Sequence, residues 1–226
     1  MSATRGYIQI RQQEQRVAFE SSFERDLIVM CGASPQVSSV VREPFSIRYI
    51  DVLAQRDRRY TPDFLVELTH RDRNWELLVE VKREADLSRF MRRSLPGFEA
   101  AKLWTLDRPG RRFAIATDKW MEQAGLEQLR MVHAFAKTPI SAALRDTTIR
   151  LVARHQPSST LNICQHIGES LGISWNEAMP KMLALIATGE LTFDVRQMLT
   201  LETAIYVGKI VCPFADLIDG GRSPEC

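Results

Sequence analysis

Apolar positions change their period along the chain, and the changes mark out elements. From Phe64 to Leu68 and again from Leu77 to Val81 they crowd as strand residues do, and the polar stretch Thr69–Asn74 separates the two runs like a hairpin turn. Upstream, Gln36–Val41 and Phe45–Val52 predict short strands broken by Pro44, the second alternating through Phe45, Ile47 and Tyr49. Before them, Val17, Phe23, Leu27, Ile28 and Met30 predict an amphipathic helix over 17–30, with Gly32 as its stop. After Lys82 the helical period returns in Leu87–Met91 and Phe98–Leu106, with an interruption expected at Pro96-Gly97. A short strand, Phe113–Ala116, follows, and Thr117-Asp118 would start the next helix. Residues 1–14 are expected to be loosely held, and the tail 220–226 disordered.

Helix, three strands, helix, strand is the order of an α/β restriction-endonuclease-like core, a mixed sheet flanked by helices with its site at one edge. The last strand is expected to lie parallel to its neighbour, because a helix joins the two. Residues 119–150 are helical and connective, and Pro139 suggests a boundary between domains 1–138 and 139–226. In the second, Ser158-Ser159-Thr160 can cap a helix through Leu161, Ile163, Ile167 and Leu171 that ends at Gly172. Ser174-Trp175-Asn176-Glu177 has the form of a capping box and opens another helix, to Gly189. This is helix-turn-helix spacing. With Leu191, Phe193, Leu199, Leu201 and Ile205 as a wing-like extension, it predicts an all-α winged-helix-like domain, with Trp175 in its core. The second helix offers DNA only Asn176 and Lys181, opposed by Glu177 and Glu190, so protein docking is favoured over base reading.

Thirty basic residues against 28 acidic ones do not announce a nucleic-acid partner. Their distribution says more: arginines such as Arg56, Arg58, Arg59, Arg71, Arg73, Arg89, Arg92 and Arg93 concentrate between 42 and 112, which suits phosphate contacts as well as a solvated surface. Cys31, Cys164, Cys212 and Cys226 lack metal-ligand or disulfide spacing, and His70, His133, His155 and His166 form no paired motif. No apolar run approaches the roughly 20 residues of a membrane span, and the start lacks a signal pattern, so a cytoplasmic protein without membrane partners is expected.

The chemistry sits in RYTPDFLVELTHRDRNWELLVEVKRE, residues 59–84. Side chains alternate across a strand, so Glu80 and Lys82 project from one face, and Asp63 at the start of the preceding strand can meet them. Two carboxylates and an ammonium in this PD…ExK pattern suit a hard cation such as Mg²⁺, which shares its positions with phosphate oxygens. The lysine could orient or deprotonate a water. The same three residues could also be an ordinary solvated strand face and a turn. Glu20 and Glu24 share one face of the upstream helix, and Glu24 is a candidate third carboxylate or simply part of a solvated face.

FESSFERDLI, the Arg42-Glu43-Pro44 segment, RYTPDFLVEL, LLVEVKRE and the small helical C-terminal region together resemble TnsA, the endonuclease subunit family of heteromeric transposases. The resemblance implies that Glu24, Asp63, Glu80 and Lys82 take catalytic positions. It implies two Mg²⁺ ions, replaceable by Mn²⁺, held by Glu24, Asp63, Glu80 and the main-chain carbonyl of Val81. It further implies nicking of transposon 5′ ends in double-stranded DNA, beside a TnsB-like integrase-type subunit. A TnsC-like ATP-dependent regulator would dock on the C-terminal domain. The family can have glutamine at the position of Glu80 and often reads Glu-Gln-Pro where this chain has Arg-Glu-Pro. Two other readings are a stand-alone restriction or repair nuclease, marked by cutting DNA alone, and a non-catalytic winged-helix adaptor, indifferent to Mg²⁺.

Overall fold

A computed structural model describes residues 4–11, 13–52, 55–155, 157–208 and 211–220; most of the tail expected to be disordered lies outside them. The chain divides into two compact units, one of residues 1–32, 36–123 and 213–226, the other of 33–35 and 124–212. The division along the chain thus falls at 123/124, ahead of Pro139.

The first unit opens with a small antiparallel pair, β1 (Gly6–Ile8) and β2 (Val17–Phe19). Helix α1 (Ser22–Ala33) starts later than its apolar spacing predicts. Val17 and Phe19 are buried as strand residues, and the helix begins where Ser21 can cap it: Ser21 Oγ accepts from Glu24 N at 3.1 Å. A side-chain oxygen at this position satisfies an amide that the first turn leaves without a partner.

Next come β3 (Val37–Arg42), β4 (Ile47–Asp51), β5 (Arg56–Tyr60), β6 (Phe64–His70) and β7 (Arg73–Lys82). Helix α2 (Glu84–Leu106), β8 (Arg111–Thr117) and α3 (Asp118–Gln123) follow. The main sheet has the order β3-β6-β7-β8, with β3/β6 and β6/β7 antiparallel and β7/β8 parallel, as the crossover through α2 predicts. β4 and β5 form a separate two-stranded ribbon that sequence periodicity only half reveals, because β5, Arg-Asp-Arg-Arg-Tyr, has no aliphatic position. α2 runs unbroken through Pro96 and Gly97. Its Phe98 and Ala101 are buried, and that packing outweighs the local cost of proline, about 3 kcal/mol in a helix interior.

Leu77, Leu78 and Val79 are fully buried, so both faces of β7 are covered. One face packs, through Leu78, with Ile47, Ala100 and Ala101, and Tyr60, Trp104 and Phe113 close around them. Each such fully buried side chain contributes about 1.5–3 kcal/mol, which lets this strand carry a buried carboxylate at its end.

The second unit contains α4 (Leu126–Ala134), α5 (Ala142–Arg154), β9 (Ser158–Ser159), α6 (Thr160–Leu171) and α7 (Trp175–Ala187). β10 (Leu191–Thr192) and β11 (Ala204–Val207) complete a three-stranded antiparallel sheet ordered β10-β11-β9, so the unit is not all-α. Short strands of two to four residues escape a periodicity test. Ser159 caps α6, Gly172 ends it at φ 68°, and Ser174 with Glu177 opens α7. Trp175, expected in the core, is 40% exposed: it is the first residue of α7, while Met182, Leu183 and Leu185 turn inward. Buried Cys164 packs its Sγ 3.8 Å from Met182 Sδ, and burial pushes its thiol up to about 11. The final helix, α8 (Ala215–Asp219), belongs to the first unit. Among the described residues no helix is long and apolar enough to cross a membrane.

Candidate active site

Asp63, Glu80, Val81 and Lys82 converge where the two middle strands of the main sheet, β6 and β7, meet at one end, rather than along an outer strand. Asp63 directly precedes β6, and the other three are the last residues of β7. Glu80 is 6% exposed. Its Oε1 lies 2.7 Å from Lys82 Nζ, and its Oε2 accepts a 2.6 Å hydrogen bond from Tyr60 Oη. Asp63 Oδ2 accepts from Val81 N at 2.7 Å and lies 3.9 Å from Lys82 Nζ. The main chain of Asp63 is also tied down: its carbonyl accepts from Glu43 N at 2.9 Å, and Glu43 adopts a left-handed φ of 47°.

Electrostatics follow from this crowding. Burial, then the nearby charge of Glu80, pushes the Asp63 carboxyl up to about 6 against its bond from Val81 and the pull of Lys82. Burial works to lower Lys82, but Glu80, which it touches, and Asp63 outweigh burial and hold the ammonium above its ordinary range. Lys82 is therefore a charged donor at neutral pH. Burial first, and then Glu80, raises the Tyr60 phenol, which stays protonated and keeps donating.

Glu24 comes near enough for its charge to bear on Asp63 and Lys82. Its carboxylate is nonetheless engaged elsewhere. Oε2 accepts from Glu20 N at 3.0 Å, Oε1 from Ser21 Oγ at 3.0 Å, and Arg42 Nε stands 3.5 Å from Oε2. Arg42 also reaches Glu43 at 2.9 Å and Glu20 at 3.5 Å. Among the described residues no three His, Cys, Asp or Glu side chains gather into a ready-made cage for an ion. That is compatible with Mg²⁺, which usually takes one or two carboxylates and leaves other positions to water and phosphate. The donor set fits a hard cation: Asp63 and Glu80 supply oxygens in a partly desolvated site whose charge is incompletely offset. Val81 points its N–H at Asp63, and in an extended strand a residue's carbonyl faces the same side as its N–H.

Two residues without a role in the sequence-based site belong to it. Tyr60 holds Glu80, and its own ring lies against Phe98 and Phe113 at centroid separations of 5.8 and 6.2 Å. Gly97 makes room for it: a Cβ there would fall 2.9 Å from Tyr60 Cδ2. Arg42 is the other, the cation that gathers Glu20, Glu24 and Glu43. The tyrosine three residues before Asp63 was visible in the sequence, but only the ribbon's register turns it toward Glu80. For Arg42 no periodicity signal existed.

The sequence model of the family described as TnsA-like endonuclease N terminal matches residues 34–123. Residues 34–123 are therefore similar to the N-terminal domain of TnsA-like endonucleases. The TnsA-like match covers less than half of the chain, includes Asp63, Glu80, Val81 and Lys82, and begins after Glu24. No curated protein matches the chain. The mixed sheet flanked by helices agrees with the α/β nuclease-like core that the TnsA-like assignment calls for.

Proposed function

We propose that this chain is the Mg²⁺-dependent DNA endonuclease subunit of a heteromeric cut-and-paste transposase and nicks the 5′ ends of the element. The observation that carries the proposal is the Asp63–Glu80 pair at the open end of the β6–β7 hairpin, with Lys82 charged between the two carboxylates. Asp63, Glu80 and the Val81 carbonyl would hold Mg²⁺, or Mn²⁺ in its place, and the ion when bound supplies Lewis-acid activation of water and neutralises phosphate charge. A second ion would draw on Glu24, which must first give up its bonds to Glu20 N and Ser21.

The chain's own residues do the rest. Asp63, whose carboxyl burial and Glu80 push up to about 6, would hold the ion as the carboxylate. Tyr60 and the Val81 amide fix one oxygen of each carboxylate, so neither reorients during the reaction. Lys82 Nζ remains protonated, which favours its orienting a water and donating to the developing phosphorane oxygens over its acting as the base.

In the second unit the order α5, β9, α6, α7, β10, β11 supports a winged-helix-like reading. Its exposed Trp175, beside acidic Glu177, favours docking of an ATP-dependent TnsC-like regulator over DNA reading. A TnsB-like integrase-type subunit would cut and join the 3′ ends. The test is 5′-end nicking in a reaction reconstituted with partner subunits and Mg²⁺. Asp63→Ala should lower it by more than a hundredfold, since loss of residues that merely support metal ligands already costs about 10–100-fold. Unimpaired nicking by Asp63→Ala would refute the assignment.

A further inference from the structure

The ribbon of β4 and β5 has two unlike faces. Its register sets Ile47 opposite Tyr60, Arg48 opposite Arg59, Tyr49 opposite Arg58 and Ile50 opposite Asp57. The inner face is packed: Ile47 is buried, Tyr49 and Tyr60 lie in the cluster with Ala100 and Ala101 of α2, and buried Asp51 holds Arg58 at 2.8 Å and stands opposite Arg56. The outer face carries Arg48, Ile50, Asp57 and Arg59, all exposed. Arg48 and Arg59 stand directly across from each other, and among the described residues neither has an ion-pair partner. Asp57 shares their face but sits opposite Ile50.

Like charges placed directly opposite in an antiparallel pair destabilise it. On the inner face the same ribbon does answer an arginine with an aspartate. An uncompensated pair on the outer face makes physical sense where an anion external to the fold completes it. We propose that this outer face contacts duplex DNA, with Arg48 and Arg59 gripping the phosphate backbone beside the cleavage site; the proposal rests on the nuclease reading of that site.

Three observations select DNA over an acidic protein surface. The arginine pair is one register step along the ribbon from the pair containing Tyr60, whose hydroxyl holds Glu80 from the opposite face. β5 continues through Thr61 and Pro62 directly into Asp63, which keeps Arg59 four residues from the candidate carboxylate. Farther along the ribbon, Ile50 and Val52 are 70% and 80% exposed. A two-stranded ribbon fits the major groove, where such side chains can meet thymine methyl groups. Two planar guanidiniums also suit bidentate phosphate recognition.

The experiment measures binding of the full chain to a fluorescein-labelled 30-base-pair duplex of arbitrary sequence in EDTA, as a function of NaCl. Arg48→Ala/Arg59→Ala should weaken binding and reduce the slope of log affinity against log salt by about 1.8, the value for two lost phosphate contacts. Arg48→Lys/Arg59→Lys should retain most of the slope. The alanine pair should melt at the same temperature as the parent or slightly higher, because it relieves a like-charge opposition.

An unchanged slope overturns the proposal, whatever acidic protein the pair then binds, and so does a lowered melting temperature or no duplex binding by the parent chain. Asp63→Ala separates the two ideas. If it binds duplex normally but does not nick, while the arginine variant binds and nicks like the parent, the nuclease reading stands and the ribbon proposal falls. If the arginine variant loses binding while Asp63→Ala still nicks, the reverse holds.

Discussion

The pattern Ser-x-x-Glu occurs at the start of two helices, once in each unit, with different consequences. At Ser174–Glu177 the carboxylate accepts from the amide and hydroxyl of Ser174, stays exposed, and is held below the usual carboxylate range by those bonds. Among the described residues nothing else claims it. At Ser21–Glu24 the carboxylate again closes the first turn, but it also faces Arg42 and its charge bears on Asp63 and Lys82. The same Ser-x-x-Glu pattern thus makes a finished cap in one unit and a cap with a second claimant in the other. A local motif states what a side chain can bond nearby; the neighbouring sheet decides whether it does more.

Substitution can break that contrast. Glu24→Gln keeps an acceptor for the helix start and removes the charge. If Glu24 works only as a cap, nicking in the reconstituted reaction should be untouched; the proposed metal role predicts a loss of about a hundredfold or more. Glu177→Gln should leave Mg²⁺ binding unchanged and lower the melting temperature only slightly.

A subtler probe is Tyr60→Phe, which keeps the ring between Phe98 and Phe113 but deletes the bond to Glu80. It should weaken Mg²⁺ or Mn²⁺ binding, followed calorimetrically, by about 10–100-fold without changing the fold. Equal affinity in the two proteins would reduce Tyr60 to a packing residue.

The smallest effect is one of stability. Asp63 has a folded carboxyl raised to about 6 from 3.8, so between those values the folded state binds more protons than the unfolded one, and stability falls as pH rises through the window. Asp63→Asn removes this liability. In EDTA at pH 7.5 it should raise the melting temperature by roughly 2–4 °C, the shift that about 1 kcal/mol produces in a chain of this size. At pH 4 the gain should vanish. Persistence of the full gain at pH 4 would mean that the carboxylate is not the source.

Sequence alone exposed much of this architecture for identifiable reasons. β6 and β7 announce themselves because their cores are aliphatic and a polar turn separates them. Asp63, Glu80 and Lys82 follow, since strand alternation and a hairpin are enough to bring them together. Elsewhere tertiary forces overrode the local signal. β5 is a charged strand held by pairing to β4, and α2 passes through Pro96-Gly97 because the helix packs on the Leu78 cluster. Val17 has helical spacing to Leu27 yet pairs with Ile8. Trp175 is apolar by composition but is the first residue of α7, and there it meets solvent. The links through Tyr60 and Arg42 were least legible, since each depends on a cross-element approach that no periodicity encodes.

Gly97 invites a substitution that a stability engineer would choose by reflex. Glycine inside a helix forfeits about 1 kcal/mol relative to alanine, and this one follows a proline near the middle of a 23-residue helix. The new methyl group would meet the Tyr60 ring at 2.9 Å and displace the hydroxyl that steadies Glu80. Because the close contacts fall at the root of a ring packed on Phe98 and Phe113, the clash offsets the helical gain, and a screen for heat resistance would discard the variant as surely as one for DNA cutting. At this position the helix's local preference and the packing around it pull in opposite directions.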